Sequence, residues 1–223
     1  MQLEDYEMAL TYNPEIFSVP NLSQAKDIIL TAESSTTEER WKTETPMLSA
    51  LIAAHNKIGP DTVLLDYGCG IGRMAKELIA RHGCRVIGVD ISPSMRALSV
   101  EYVNSDSFFA CPPAMLKLLI DGGFQFDLAI SIWVLQHCLS PAIDIGYLRD
   151  ALKPGGGLFV VNNIHRAVPT KEAGWASDGV DIKGTLARIF SLQSEQTIVS
   201  PDVPTTLSGS TFWAAFKKAE RLS

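Results

Sequence analysis

Three glycines at every second position, Gly68, Gly70 and Gly72, follow Asp66 in the stretch VLLDYGCGIGR over 63–73. An apolar run leads into Asp66, and a helical pattern starts directly after Gly72. Glycine accepts positive φ and lets a backbone approach a ligand closely. Amides at a helix start favour an electron-rich group. Such turns lie at the carboxyl end of a central strand, where open α/β sheets bind ligands. The alternative is an ordinary turn whose glycines serve geometry alone. A second acid, Asp90, ends the run RVIGVD, 24 residues after Asp66 (90 − 66 = 24). A carboxylate at that strand tip can accept both hydroxyls of a ribose, or it can cap the next helix. Asp66 could fix the amides of the glycine turn or reach a ligand ammonium.

Spacing separates the nucleotide chemistries that use such a turn. The phosphate loop GxxxxGK[ST] does not occur, which excludes nucleotide hydrolysis of that kind. Gly68 and Gly70 meet the first two positions of the dinucleotide pattern GxGxxG, but Arg73 stands at the third. Gly72 comes one position earlier and gives GxGxG. That pattern suits a ligand without a pyrophosphate: an amino-acid group near the turn and a nucleoside beyond it.

The elements that must position these residues alternate in type. Strands are expected at 63–67, 85–90, 107–111, 126–133 and 157–162, and helices at 72–82, 93–103, 112–121 and 140–152. Alternation of this kind builds a parallel sheet. The motif Pro154-Gly155-Gly156 is expected to stop the fourth helix. A helix at 181–190 follows an irregular stretch. Strands at 193–199 and 211–217 then have no long helix between them and should be antiparallel neighbours. Residues 1–60 read as a helical segment. Asn21 or Ser23 caps a helix over 21–32, and the polar cluster Glu33–Glu39 reads as a hinge. Ser34–Thr37 caps a short helix carrying Arg40 and Trp41, and Thr45-Pro46 starts another helix ended by Gly59-Pro60. The domain expectation is therefore a helical lid segment over 1–60 and a binding domain over 61–223.

Bulk properties narrow the partners. A chain of 223 residues holds one large α/β domain. A net charge of −6 argues against a general nucleic-acid binder. The start, MQLEDYEMAL, has no basic region followed by an apolar one, so no secretory leader is expected. The longest apolar stretch, near Leu128–Leu135, is too short to span a bilayer. Cys69, Cys84, Cys111 and Cys138 form no CxxC pair and sit at no metal-ligand spacing. They read as reduced thiols of a cytoplasmic protein, with no metal. Oligomeric state is not legible.

Four stretches, D66-Y-G-C-G-I-G72, V86-I-G-V-D90, F126-D-L-A-I-S-I-W-V-L-Q-H137 and L152-K-P-G-G-G-L-F-V-V161, resemble the successive motifs of class I S-adenosylmethionine-dependent methyltransferases. The resemblance covers about 61–163 motif by motif. It implies a Rossmann-like, seven-stranded, mostly parallel sheet with helices on both faces and an antiparallel last strand. It implies S-adenosylmethionine as cofactor, with Gly68, Gly70 and Gly72 near its methionine part and Asp90 on its ribose. Ile91 and Met95 would flank the adenine. Ser131 would lie near the methionine end, with Trp133 close by. Where many relatives place an aspartate after strand three, this chain has F108-F-A-C-P-P, so adenine recognition falls to backbone groups.

Methyl transfer is an in-line displacement that needs alignment and exclusion of water rather than a metal. A general base is needed only where the acceptor loses a proton. His137 and His165 are the candidates, with a structural imidazole as the alternative role. Arg40 could hold the cofactor carboxylate and Trp41 could cover the sulfonium. The stretch 162–180 should border the acceptor pocket. The motif [DN]PP[YF] of DNA adenine methyltransferases is absent from the end of strand four. A small-molecule acceptor leads. The alternative is a non-catalytic module that binds S-adenosylmethionine or S-adenosylhomocysteine as a sensor or partner subunit. A nicotinamide-dependent oxidoreductase ranks third.

Overall fold

The structure, a computed structural model, describes residues 10–30, 36–197 and 210–220. The expected leader-free start, the hinge at 33–35, the cap at 34–35 and the end of the strand at 198–199 lie wholly or mostly outside these residues.

The strands are β1 (Val63–Tyr67), β2 (Arg85–Val89), β3 (Phe108–Cys111), β4 (Phe126–Ile132), β5 (Leu152–Asn163), β6 (Val168–Thr170), β7 (Gly174–Ala176), β8 (Ser191–Thr197) and β9 (Thr211–Lys217). The helices are α1 (Leu22–Ile29), α2 (Thr37–His55), α3 (Arg73–His82), α4 (Pro93–Val103), α5 (Pro113–Asp121), α6 (Pro141–Ala151) and α7 (Ile182–Ile189). Seven strands form one sheet in the order β3-β2-β1-β4-β5-β9-β8. The first five run parallel, and β9 lies antiparallel between β5 and β8. The expected Rossmann-like sheet with an antiparallel last strand is present.

Strand periodicity sends neighbouring residues to opposite faces. On β1, Leu64 packs with Leu48, Ile52 and Met74 of the α2–α3 layer. Leu65 and Tyr67 pack with Leu116, Leu148 and Leu186 of the α5–α7 layer. Asp66 therefore faces one layer and Tyr67 the other. The turn after β1 exits at the sheet's carboxyl edge beside β4.

Three local expectations are corrected. Thr45-Pro46 does not start a helix: α2 is continuous, with Pro46 inside it. Its start carries a capping box between Thr36 and Glu39. Its buried face, Trp41, Thr45, Leu48 and Ile52, keeps helical spacing through the proline. The carbonyl that Pro46 leaves without its usual partner belongs to the exposed Lys42. Nor does Gly59-Pro60 end it; α2 stops at His55, and the Asn56 side chain donates to the Ile52 carbonyl at 3.1 Å. Second, Pro154-Gly155-Gly156 is not a break before the strand but a bulge within β5. Pairing steps from Phe126↔Leu152 to Leu128↔Gly157. Third, the stretch expected to be irregular folds into the β6–β7 hairpin. The N-terminal segment joins its edge through the bridge Tyr12↔Thr170. The Asn13 amide donates to Pro169 O at 2.9 Å and the Lys171 amide to Thr11 O at 3.0 Å.

Candidate active site

A cavity of about 910 Å³ opens at the carboxyl edge of the sheet, beside the turn after β1. Its two ends are built differently.

At the first end the backbone sets the geometry. Gly68, Gly70 and Gly72 have φ of 77°, 53° and 79°, the left-handed region that glycine enters without strain. A Cβ on Gly68 would lie 2.2 Å from Val134, and one on Gly70 would lie 2.8 Å from Ile29. Side chains thus press on the turn from both sides. The Gly68 and Cys69 amides donate to Val89 O, at 2.7 and 3.0 Å. The Gly70 amide donates to Asp90 Oδ2 at 2.8 Å, and the Ser92 amide to Asp90 Oδ1 at 2.8 Å. Asp90 is thus locked to the turn, and each oxygen keeps a lone pair for a ligand hydroxyl. Burial raises its pKa, against the pull of these amides.

Asp66 does not hold the turn's amides, because Val89 and Asp90 already do. Its Oδ2 is buried without a hydrogen-bond partner among the described residues, and it lines the cavity. Burial pushes its carboxyl up to about 7; nearby Arg73 opposes this and Asp90 adds to it. An orphaned buried acceptor calls for a donor. A ligand ammonium meets that need, so the residues present fit the amino-acid part of S-adenosylmethionine. Arg40 also lines the cavity, with its Nε 2.7 Å from Glu44 Oε1. Ile91 and Met95 also line the cavity.

Three expected residues of this end lie elsewhere. Trp41 does not line the cavity; its Nε1 donates to the Tyr102 hydroxyl at 3.0 Å and its ring packs edge-on to Tyr102. Gly72 is a packing glycine: a Cβ there would meet Val103 Cγ2 at 2.4 Å. Ser131 is fully buried and does not line the cavity. Sequence reading also passed over Arg73, the first residue of α3. Arg73 is buried and lines the cavity, and its Cζ lies 5.5 Å from the Trp41 ring centroid. Burial lowers its pKa to about 10, while Glu44 and Asp66 hold it up. Its placement directly after the glycine turn was the available signal.

Between the ends stands Trp133, a non-glycine residue with φ of 63°. It lines the cavity, and its buried Nε1 has no hydrogen-bond partner among the described residues. Backbone strain of this kind concentrates at functional sites.

Side chains build the second end. His137 is here, as expected, but both ring nitrogens are committed. With the proton assigned to Nδ1, it donates to Ala167 O at 2.6 Å, and Nε2 accepts from the Gln136 amide at 3.1 Å. Burial lowers its pKa. Its ring packs against Trp175 at 5.1 Å and Phe17 at 5.8 Å, a structural imidazole in an aromatic wall. His165 is not at this site. It is exposed and lines a separate recess with Arg166 and Asp181. Its strand-end position was right, but the chain turns its side chain outward before β6. Asn163, Ala167 and Trp175 do border the cavity, as expected of 162–180. Tyr12, Tyr67, Cys138 and Asp144 complete this end. The Tyr67 hydroxyl donates to Asp144 Oδ1.

A family model described as a methyltransferase domain matches residues 37–198. Among curated relatives, the 2-methyl-6-phytyl-1,4-hydroquinone methyltransferase of Synechocystis sp. is 34% identical over 105 residues, 46% of this chain and 32% of that protein. A ubiquinone biosynthesis O-methyltransferase of Ruegeria pomeroyi is 30% identical over 113 residues, 46% of this chain and 41% of that protein. The chain spans less than half the length of the curated relatives it matches. A solved geranyl diphosphate C-methyltransferase from Streptomyces coelicolor A3(2), in complex with Mg²⁺, geranyl diphosphate and S-adenosyl-L-homocysteine, superposes with a TM-score of 0.63. It is 15% identical and is matched over 94% of this chain and 90% of that one, which shows a shared fold. With the family model matched over most of its length, the chain belongs to the S-adenosylmethionine-dependent methyltransferases of class I.

Proposed function

We propose that this chain moves a methyl group from S-adenosylmethionine to a small-molecule acceptor by in-line displacement. The observation that carries the reading is one continuous cavity joining the glycine turn and Asp90 to an aromatic wall. When bound, the cofactor supplies a methyl group already activated on a sulfonium. The chain's residues align and enclose. Asp90 accepts the ribose hydroxyls, and Gly68 and Gly70 give the methionine part close backbone approach. Asp66 receives the ammonium, and Arg40 and Arg73 balance the carboxylate and the buried acids. Ile91 and Met95 sandwich the adenine.

The relatives' names speak of hydroquinone and ubiquinone biosynthesis. They support a small organic acceptor for this chain. A net charge of −6 gives no support to a nucleic-acid acceptor. Among the described residues no helix is long and apolar enough to cross a membrane. Four unpaired thiols support a reducing, cytoplasmic setting. Residues before 61 act as a lid in this reading through α1 and the segment around Tyr12 and Phe17. The second half of α2 instead packs into the sheet layer through Leu48 and Ile52.

Calorimetry with S-adenosylmethionine, S-adenosylhomocysteine and NAD tests the donor. Binding of the first two and not the third is expected; NAD binding alone would overturn the reading. Transfer of a labelled methyl group to a component of a metabolite extract tests catalysis. Tight cofactor binding with no transfer to any component would leave a sensor module instead.

A further inference from the structure

We propose that Asp144, held by the Tyr67 hydroxyl, takes the proton from the acceptor, which is a neutral aromatic molecule methylated on a hydroxyl. This rests on reading the cavity as a methyl-transfer site.

Asp144 sits in the first turn of α6 and lines the cavity, whose other carboxylates among the described residues are Asp27, Asp66 and Asp90. Tyr67 reaches it from β1, one residue before the glycine turn. Val134, which presses on Gly68, accepts a hydrogen bond from the Cys138 thiol through its carbonyl at 3.6 Å. Cys138 in turn lines the same cavity as Asp144 and feels its charge. Gly68, Val134, Cys138 and Asp144 line one cavity, and Tyr67 ties the carboxylate to the strand that leads into the glycine turn. An ionised carboxylate offers about four acceptor positions. Tyr67 uses one and leaves room for an acceptor hydroxyl.

The other titratable groups facing Asp144 do not serve as the base. His137 has both nitrogens committed. Burial, with Asp144 beside them, pushes the Tyr67 phenol and the Cys138 thiol up, so both stay protonated. Tyr12 is pushed up to about 12, chiefly by burial, and is a neutral donor. Tyr147, on α6 itself, is the remaining phenol near Tyr67. The aromatic wall of Phe17, His137 and Trp175 has centroid spacings of 5.1 to 6.3 Å and suits a planar ring. Arg166, buried behind it and donating to Cys138 O, disfavours a second cation there.

The proton balance closes without another reagent. The acceptor O–H proton passes to a free Asp144 oxygen. The O–H electron pair forms the new O–CH₃ bond as the methyl–sulfur bond breaks and its pair stays on sulfur.

Catechol, 2-methyl-1,4-hydroquinone and phenethylamine, each with saturating S-adenosylmethionine, are the probes, and S-adenosylhomocysteine release is the readout. The hydroxyl probes are expected to turn over and the amine not. Asp144→Asn should lower kcat by about 10²–10⁴-fold, with cofactor Kd unchanged within twofold as the check on folding. Its residual rate should climb with pH as solvent supplies phenolate. Asp144→Glu should restore part of the rate, and Tyr67→Phe should lower kcat more than it raises KM. Wild-type turnover by Asp144→Asn, turnover of the amine alone, or no methylation of any probe while the cofactor binds would overturn the assignment. Failure of cofactor binding would instead overturn the proposed function.

Discussion

The two ends of the cavity differ in what holds them. At the Asp90 end, two strand tips and one glycine turn supply most of the ligand-facing groups, and main-chain amides fix their positions. At the Asp144 end, groups converge from the N-terminal segment, β1, the stretch after β4, α6, the end of β5 and the β6–β7 hairpin. Backbone geometry is written locally, as glycine at a fixed spacing. Convergence of side chains from six places depends on the whole tertiary structure. The Asp90 end is therefore fixed mainly by the backbone and the Asp144 end by converging side chains.

That contrast can be broken by substitution. Asp90→Ala removes both proposed ribose contacts, each a charged hydrogen bond of about 1.5–3 kcal/mol. Cofactor Kd should rise by roughly 10²–10⁴-fold in calorimetry, with the fold intact. Unchanged affinity would mean that the frame does not rest on Asp90. Arg73→Met removes a buried positive charge near Asp66 and Glu44, of which Glu44 keeps an ion-pair partner, Arg40. Denaturant unfolding should report a loss of about 3–5 kcal/mol. Gly72→Ala sets a Cβ 2.4 Å from Val103 at a φ of 79°. It should cost about 1–3 kcal/mol of stability while the folded fraction binds cofactor as before, separating a packing glycine from the two cavity glycines.

A pH effect separates the ends further. The Asp66 carboxyl of the unliganded protein titrates at about 7, against an ordinary 3.8, chiefly through burial. The folded state thus holds this proton more tightly than the unfolded chain. Its contribution to stability is present below about pH 4 and is lost as pH rises through 7. Binding runs the other way, because an ammonium needs the carboxylate. Affinity for S-adenosylmethionine should fall by up to about tenfold per unit below pH 7, and Asp66→Asn should flatten both profiles. The smallest effect is expected from His165→Ala, which should leave kcat and KM within about twofold, since surface changes away from a site are mild.

Much of the donor end could be read from the sequence because its signals are short-range. Gly68, Gly70 and Asp90 announce a turn and a strand tip within 24 residues of Asp66. Ser131 and Trp41 were misplaced because neighbours in sequence share no face. Strand alternation buries Ser131, and helix phase turns Trp41 toward Tyr102. Pro46 misled because a proline marks a helix start only where tertiary burial does not carry the helix through it. The β6–β7 hairpin left a faint local signal, three residues a side with Pro169 on an edge strand. Arg73 was visible, but only its neutralisation of two buried acids gives it meaning.

Asp66 and Tyr67 are consecutive residues on one strand, pointing to opposite layers. Their Cα atoms are about 3.8 Å apart whatever the surroundings do. The strand is a covalent ruler: its marks are the carboxylate proposed to anchor the donor's ammonium and the hydroxyl that donates to Asp144. On that proposal, the two ends of the cavity share one rigid element. Exchanges at Tyr12, Phe17 or Trp175 are then expected to change acceptor preference more than cofactor affinity.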